Sequence, residues 1–99
     1  MTERTQWNQI KDARMDEPGA SEAYEAARLA YELGRRVREL RESSGWSQTD
    51  LAKAAGMTQS AVARFEAGGT VPTLGVLERI ANALDATLTV DVTPRPHVA

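Results

Sequence analysis

Residues 46–73, WSQTDLAKAAGMTQSAVARFEAGGTVPT, carry two copies of one local device and decide the fold. Ser47 is a helix N-cap type, and Asp50, three residues on, makes a short-armed capping box with it. Trp46 just before the cap and Leu51 at the fourth helical position are spaced as a hydrophobic staple. Gly56 suits the left-handed position that ends such a helix. The device then repeats. Thr58 caps, Met57 and Val62 are staple-spaced around it, and Gly68-Gly69 terminate. Two stapled helices joined through a glycine by about three residues form an angled helical pair, the helix-turn-helix arrangement.

Outward from this stretch the chain is mostly helical. Pro72 and Thr73 open a further helix whose Leu74, Leu77, Ile80, Ala81 and Leu84 are expected to face inward. On the N-terminal side, residues 21–44 are rich in Ala, Leu, Glu and Arg and read as one helix, with Ser21 as its cap. Gly34 is a candidate break in it, because glycine costs about 1 kcal/mol relative to alanine in a helix interior. Val37, Leu40 and the stem of Arg41 share one face of its second half. Residues 1–20 combine a short amphipathic piece with the breaker cluster Asp16-Glu17-Pro18-Gly19. Residues 87–92 alternate with β-branched residues and predict a short strand, which Pro94 and Pro96 end. One strand needs a second edge, and the simplest supply is the same strand of another chain. Leu88, Val90 and Val92 are therefore the expected dimerisation residues.

The spacing predicts which side chains of residues 58–68 look outward. Val62 and Phe65 are the apolar stripe and must face the core, which leaves Gln59, Ser60, Ala63 and Arg64 on the solvent side. Arg can pair bidentately with guanine O6 and N7, and Gln with adenine N6 and N7, while a small Ala permits close approach to a thymine methyl. Gln59 and Ser60 lie in the first turn, the part of a groove-reading helix that meets base edges. Gln48, in the first turn of the preceding helix, is positioned to hold a phosphate. Gly69 and Thr70 are candidates to offer backbone amides to the sugar-phosphate chain.

Bulk properties set limits on these readings. Ninety-nine residues suit one small domain with extensions. A chain this short buries only about 60–65% of its unfolded surface, which favours a homodimer. There is no cysteine, and the single histidine, His97, lies in the tail, so neither thiolate metal sites nor a catalytic constellation is expected. No cofactor is expected either, since no glycine-rich phosphate loop follows a strand. No apolar run approaches the ~18 residues that would span a membrane. The net charge of −2 gives no support to nucleic-acid binding, but it is unevenly spread. Residues 1–33 hold four basic and seven acidic side chains; residues 34–86 hold seven basic and six acidic, with Arg35, Arg36, Arg38 and Arg41 close together.

From Leu33 to Leu88 the chain resembles the phage-repressor (Cro/C1, XRE) helix-turn-helix family, on the residues SQTDLAKAAGMTQSAVARFEAGGTVPT and the following LERIANAL. The resemblance implies an all-α, five-helix lambda-repressor-like helix-turn-helix bundle, here with an N-terminal helical extension and a short C-terminal strand. It divides the chain into an N-terminal extension (1–32), a DNA-binding domain (33–86) and a C-terminal strand and tail (87–99). It implies that Gln48 contacts phosphate and that Thr58, Gln59, Ser60 and Arg64 contact backbone and bases. It also implies a salt bridge between Arg41 and Glu66 that ties the first helix to the recognition helix. The partner so implied is double-stranded DNA, as a palindromic operator.

The N-terminal segment resembles HigA-type antitoxins of type II toxin–antitoxin systems. That implies binding to a RelE/HigB-like ribonuclease toxin and repression of the protein's own operon in a bacterial cytoplasm. Trp7, Ile10, Tyr24 and Tyr31 are the candidate toxin contacts, since Trp and Tyr are frequent interface anchors. The alternative is a stand-alone phage- or host-type repressor without a toxin partner.

Overall fold

A computed structural model of the chain describes residues 19–96, which form four helices: α1 (Ala20–Ser43), α2 (Gln48–Ala55), α3 (Gln59–Glu66) and α4 (Leu74–Ala83). The expected helical extension before Gly19 lies outside the described residues, as do Trp7, Ile10 and His97. Two expectations for the rest are corrected. The described residues contain four helices rather than five, and no strand. The missing strand has a physical reason in residues 87–92, since a strand needs a second edge that the described residues do not offer. Leu88 packs against the chain's own core, whereas Val90 and Val92 are exposed.

The caps fall where their residue types place them. The Ser47 hydroxyl accepts from the Asp50 amide at 3.0 Å, and the Asp50 carboxylate accepts from the Ser47 amide at 2.8 Å, completing the capping box. Thr58 and Thr73 likewise accept from Ala61 and Val76 amides at 3.1 and 3.3 Å. All four helices end with one hydrogen-bond pattern, in which an amide reaches back five residues. The bonds run from Trp46 to Arg41, Met57 to Ala52, Gly69 to Arg64, and Ala86 to Ala81. Helix α1 departs from expectation at its start. Its cap is Gly19 in the left-handed region, with no side-chain cap bond, and Ser21 lies inside the helix.

The core sits where the helices converge. Leu51, Val62, Phe65 and Ile80 are its most deeply buried large side chains, with Val37, Leu77 and Leu84 around them. Trp46 and Met57, the two outer halves of the staples, pack against this cluster. Helices α2 and α3 pack on each other, α4 closes over α2, and α1 lies across α3. Leu74, expected inward, is 62% exposed: it is the first residue of α4 and precedes the stripe Leu77, Ile80, Ala81 and Leu84 that reaches the core.

Helix α1 runs unbroken through Gly34, which is buried. A methyl group at that position would collide with the backbone carbonyl of Phe65 and come within 3.0 Å of the Glu66 carbonyl. Gly34 is thus a point of close helix approach rather than a break.

The capping box carries a pH dependence. The Ser47 amide, followed by the Ser47 hydroxyl, holds the Asp50 carboxyl below the usual carboxylate range. A depressed folded-state value means the stabilisation is full above the unfolded carboxylate value of about 3.9 and is lost as pH falls through the folded one. The urea midpoint of wild type is therefore expected to exceed that of Asp50→Asn at pH 7, the gap closing as pH falls through the folded-state carboxyl value. A pH-independent gap would mean that the carboxylate charge plays no part.

Candidate nucleic-acid interface

An ion pair at the junction of α1 and α3 sets the geometry of the candidate interface. The Arg41 Nε and Nη2 donate to the two Glu66 carboxylate oxygens at 2.7 and 3.0 Å, a bidentate fork, and Nη1 donates to the Trp46 carbonyl at 2.6 Å. The two side chains are only 10% and 3% exposed. The hydrogen bonds to Glu66, opposed by burial, raise the Arg41 guanidinium above its ordinary value, so it stays charged at every accessible pH. This is the structural pairing expected of Arg41 and Glu66. Among the described residues no buried side-chain polar atom is left without a partner.

From Glu66, at the end of α3, the network runs through α2 to the start of α3. The Gln48 Nε2 donates to Glu66 Oε1 at 3.2 Å, and the Gln59 Nε2 donates to Gln48 Oε1 at 2.7 Å. The polarity of this relay follows from chemistry. A carboxylate only accepts, so Gln48 must turn its amide nitrogen to Glu66 and its oxygen to Gln59. Gln59 then keeps its carbonyl oxygen and one N–H for an incoming group. These are the acceptor and donor that an adenine N6 and N7 edge requires.

The rest of the expected strip is arranged along the same helix. Gln59, Ser60 and Arg64 are exposed, Ala63 is half-buried, and Val62 and Phe65 are buried beneath them. Among the described residues Arg64 enters no ion pair, so its guanidinium is open to an external partner. Thr58 is exposed and its hydroxyl caps α3. Thr70 is exposed beyond the helix end. Gly69 is corrected: its amide donates to the Arg64 carbonyl at 2.8 Å and closes α3, which withdraws it from phosphate contact. Gln48 is half-buried within the relay, a role its position in sequence did not disclose.

The candidate protein contacts are more scattered. Tyr24 and Tyr31 are half-buried on α1. Tyr31 lies against the end of α3, where a methyl on Gly68 would come within 3.0 Å of its Cα. A contact that sequence reasoning missed is the Arg79 Nε, which donates to the Ala55 carbonyl at 2.9 Å and so satisfies the C-terminal end of α2 from α4.

Comparison with known proteins agrees with this geometry. Residues 32–92 match a family model described as a helix-turn-helix domain. Among solved structures, the restriction-modification controller protein C.AhdI from Aeromonas hydrophila is similar, at 36% identity and a TM-score of 0.58. That match covers 59% of this chain and 88% of the other. No curated protein matches the chain. Among the described residues no helix is long and apolar enough to cross a membrane, and no group of His, Cys, Asp and Glu could hold a metal ion.

Proposed function

Since the chain belongs to the helix-turn-helix family of Cro-type (XRE) regulators, we propose that it is a stand-alone, non-catalytic transcriptional repressor that reads duplex DNA through α3. The observation that carries this reading is the Glu66–Gln48–Gln59 relay, which preorients a base-reading amide at the exposed edge of α3. Gln59 and Arg64, the latter in no ion pair among the described residues, both stand exposed on α3. The controller protein it resembles points the same way, toward a regulator.

The repressor acts as a homodimer on a palindromic operator. Val90 and Val92 are 65% and 91% exposed, apolar surface that the same segment of a second chain would cover. Thr58, Thr70 and Ser60 belong to the same DNA-facing set by their exposure along and beyond α3. Binding to a RelE/HigB-like toxin draws less support. Trp7 and Ile10 lie outside the described residues, and Tyr31 already packs against Gly68 within the domain.

Arg64→Ala is the direct test. Against an operator selected from a random library with the wild-type protein, the variant is expected to lose about 1–3 kcal/mol of affinity and relax base preference at one position per half-site. Fluorescence anisotropy on the selected and random duplexes distinguishes the cases. Equal losses on both would demote Arg64 to a phosphate contact, and wild-type protein that selects no sequence would remove the reading itself.

A further inference from the structure

Beside the base-reading strip, α1 and α3 diverge around an open groove of 420 Å³. Its floor is the Arg41–Glu66 pair and its α3 wall is Ala63 and Ala67, side chains too small to fill it. Arg35 and Arg38, one helical turn apart on α1, form the opposite wall. Arg41 is committed to Glu66 and to the Trp46 carbonyl, so the floor is close to neutral. The positive charge of the groove therefore resides in Arg35 and Arg38.

Those two guanidiniums are held only loosely. Arg35 pairs with Glu39 at 2.7 Å and Arg38 with Glu42 at 3.4 Å, and all four side chains are roughly half exposed. Exposed helical pairs of this kind contribute little, and a phosphate within reach offers a guanidinium a stronger, planar, two-point partner. A groove with weakly held cationic walls, a neutral floor and small side chains opposite suits a phosphodiester.

Its place identifies the source of that phosphate. Ala63 and Gln48 belong both to the groove and to the DNA-facing elements, so the two surfaces are continuous. A helix seated in a major groove has a sugar-phosphate strand running beside it. We propose that this groove seats backbone phosphates of the duplex, with Arg35 and Arg38 exchanging Glu39 and Glu42 for phosphate oxygens on binding. The assignment rests on α3 reading DNA and extends the contact surface along α1.

The test compares salt dependence. Anisotropy titrations over a range of salt use the library-selected operator and a random duplex of equal length. Arg35→Gln with Arg38→Gln is expected to weaken binding to both duplexes by about tenfold and to flatten the log–log salt slope by roughly 0.9 per phosphate released. Arg35→Lys with Arg38→Lys is expected to keep most of the slope. Adding Glu42→Gln to the double glutamine variant removes the carboxylate left unpaired, Glu39 keeping Arg36 at 3.7 Å, and the flattened slope is expected to persist. Recovery of the wild-type slope in that variant would mean that carboxylate repulsion, not lost contact, caused the change, and would overturn the proposal. So would an unchanged slope in the double glutamine variant. Inorganic phosphate shifting the Arg35 and Arg38 side-chain resonances without any effect of the variants on duplex binding would assign the groove to a free anion and overturn the DNA contact. Wild-type protein that binds neither duplex overturns the DNA reading and this proposal together, whereas a salt-dependent wild type with unaffected variants overturns this one alone.

Discussion

Gly34→Ala is expected to destabilise the domain by about 2 kcal/mol, although it replaces a poor helix former with the best one. Two effects oppose each other at this position. Alanine gains about 1 kcal/mol from helix propensity. Its methyl group, however, would meet the Phe65 carbonyl and stand 3.0 Å from the Glu66 carbonyl, both of them backbone. Overpacking typically costs about 1–3 kcal/mol, and the upper end applies where no side chain can rotate away. Relief requires α1 to lift off α3, which would also strain the approach of Tyr31 to Gly68 and the Arg41–Glu66 fork. Urea denaturation of the two proteins at neutral pH measures the balance. A Gly34→Ala variant as stable as wild type would sink the close-packing account and restore Gly34 to the role of an incidental flexible point.

Gly34 reads differently in sequence and in structure for a physical reason. From sequence, a glycine among Ala, Leu, Glu and Arg is a local weakness, because propensity is a property of neighbours along the chain. Its reason is supplied by Phe65 and Glu66, which lie on a different helix, and no pattern within α1 encodes that contact. The caps behave in the opposite way. Ser47, Asp50, Thr58 and Thr73 act within three residues of themselves, so their residue types disclosed the starts of α2, α3 and α4. Residues 86–96 show the limit of pattern. Alternation identifies a segment unsuited to helix, but pairing requires a partner edge that no single chain pattern supplies.

The candidate interface divides along the same line. The outward position of Gln59, Ser60 and Arg64 follows from helical period once Val62 and Phe65 are assigned to the core. What Gln48 does could not be read that way. Its first-turn position suggested a phosphate ligand, while its hydrogen bonds make it the link between a buried carboxylate and an exposed amide. Arg41 and Glu66 are separated by 25 residues, and only the family resemblance, not composition or period, brought them together.

That pair gives the largest expected effect. Glu66→Ala is expected to cost about 3–5 kcal/mol, because it leaves the Arg41 guanidinium buried and unpaired. Against the roughly 5–15 kcal/mol typical of a whole domain, such a loss approaches unfolding at physiological temperature. The attraction itself is not what makes the loss large. Desolvating both charges offsets much of their Coulomb gain, so the cost comes mainly from the orphaned partner. Replacing both residues, as Arg41→Met with Glu66→Leu, is accordingly expected to restore most of the stability. DNA recognition is not expected to return with it. Without the Glu66 carboxylate nothing compels Gln48 to present its oxygen to Gln59, and the Gln59 amide loses its fixed orientation. The double variant should therefore melt near wild type yet bind the selected operator roughly tenfold more weakly, with the discrimination at the Gln59 position reduced. Calorimetry and anisotropy on the same preparation separate the two roles. A double variant with both stability and base preference intact would show that the ion pair serves only to join α1 to α3, and that base reading at Gln59 does not depend on the relay.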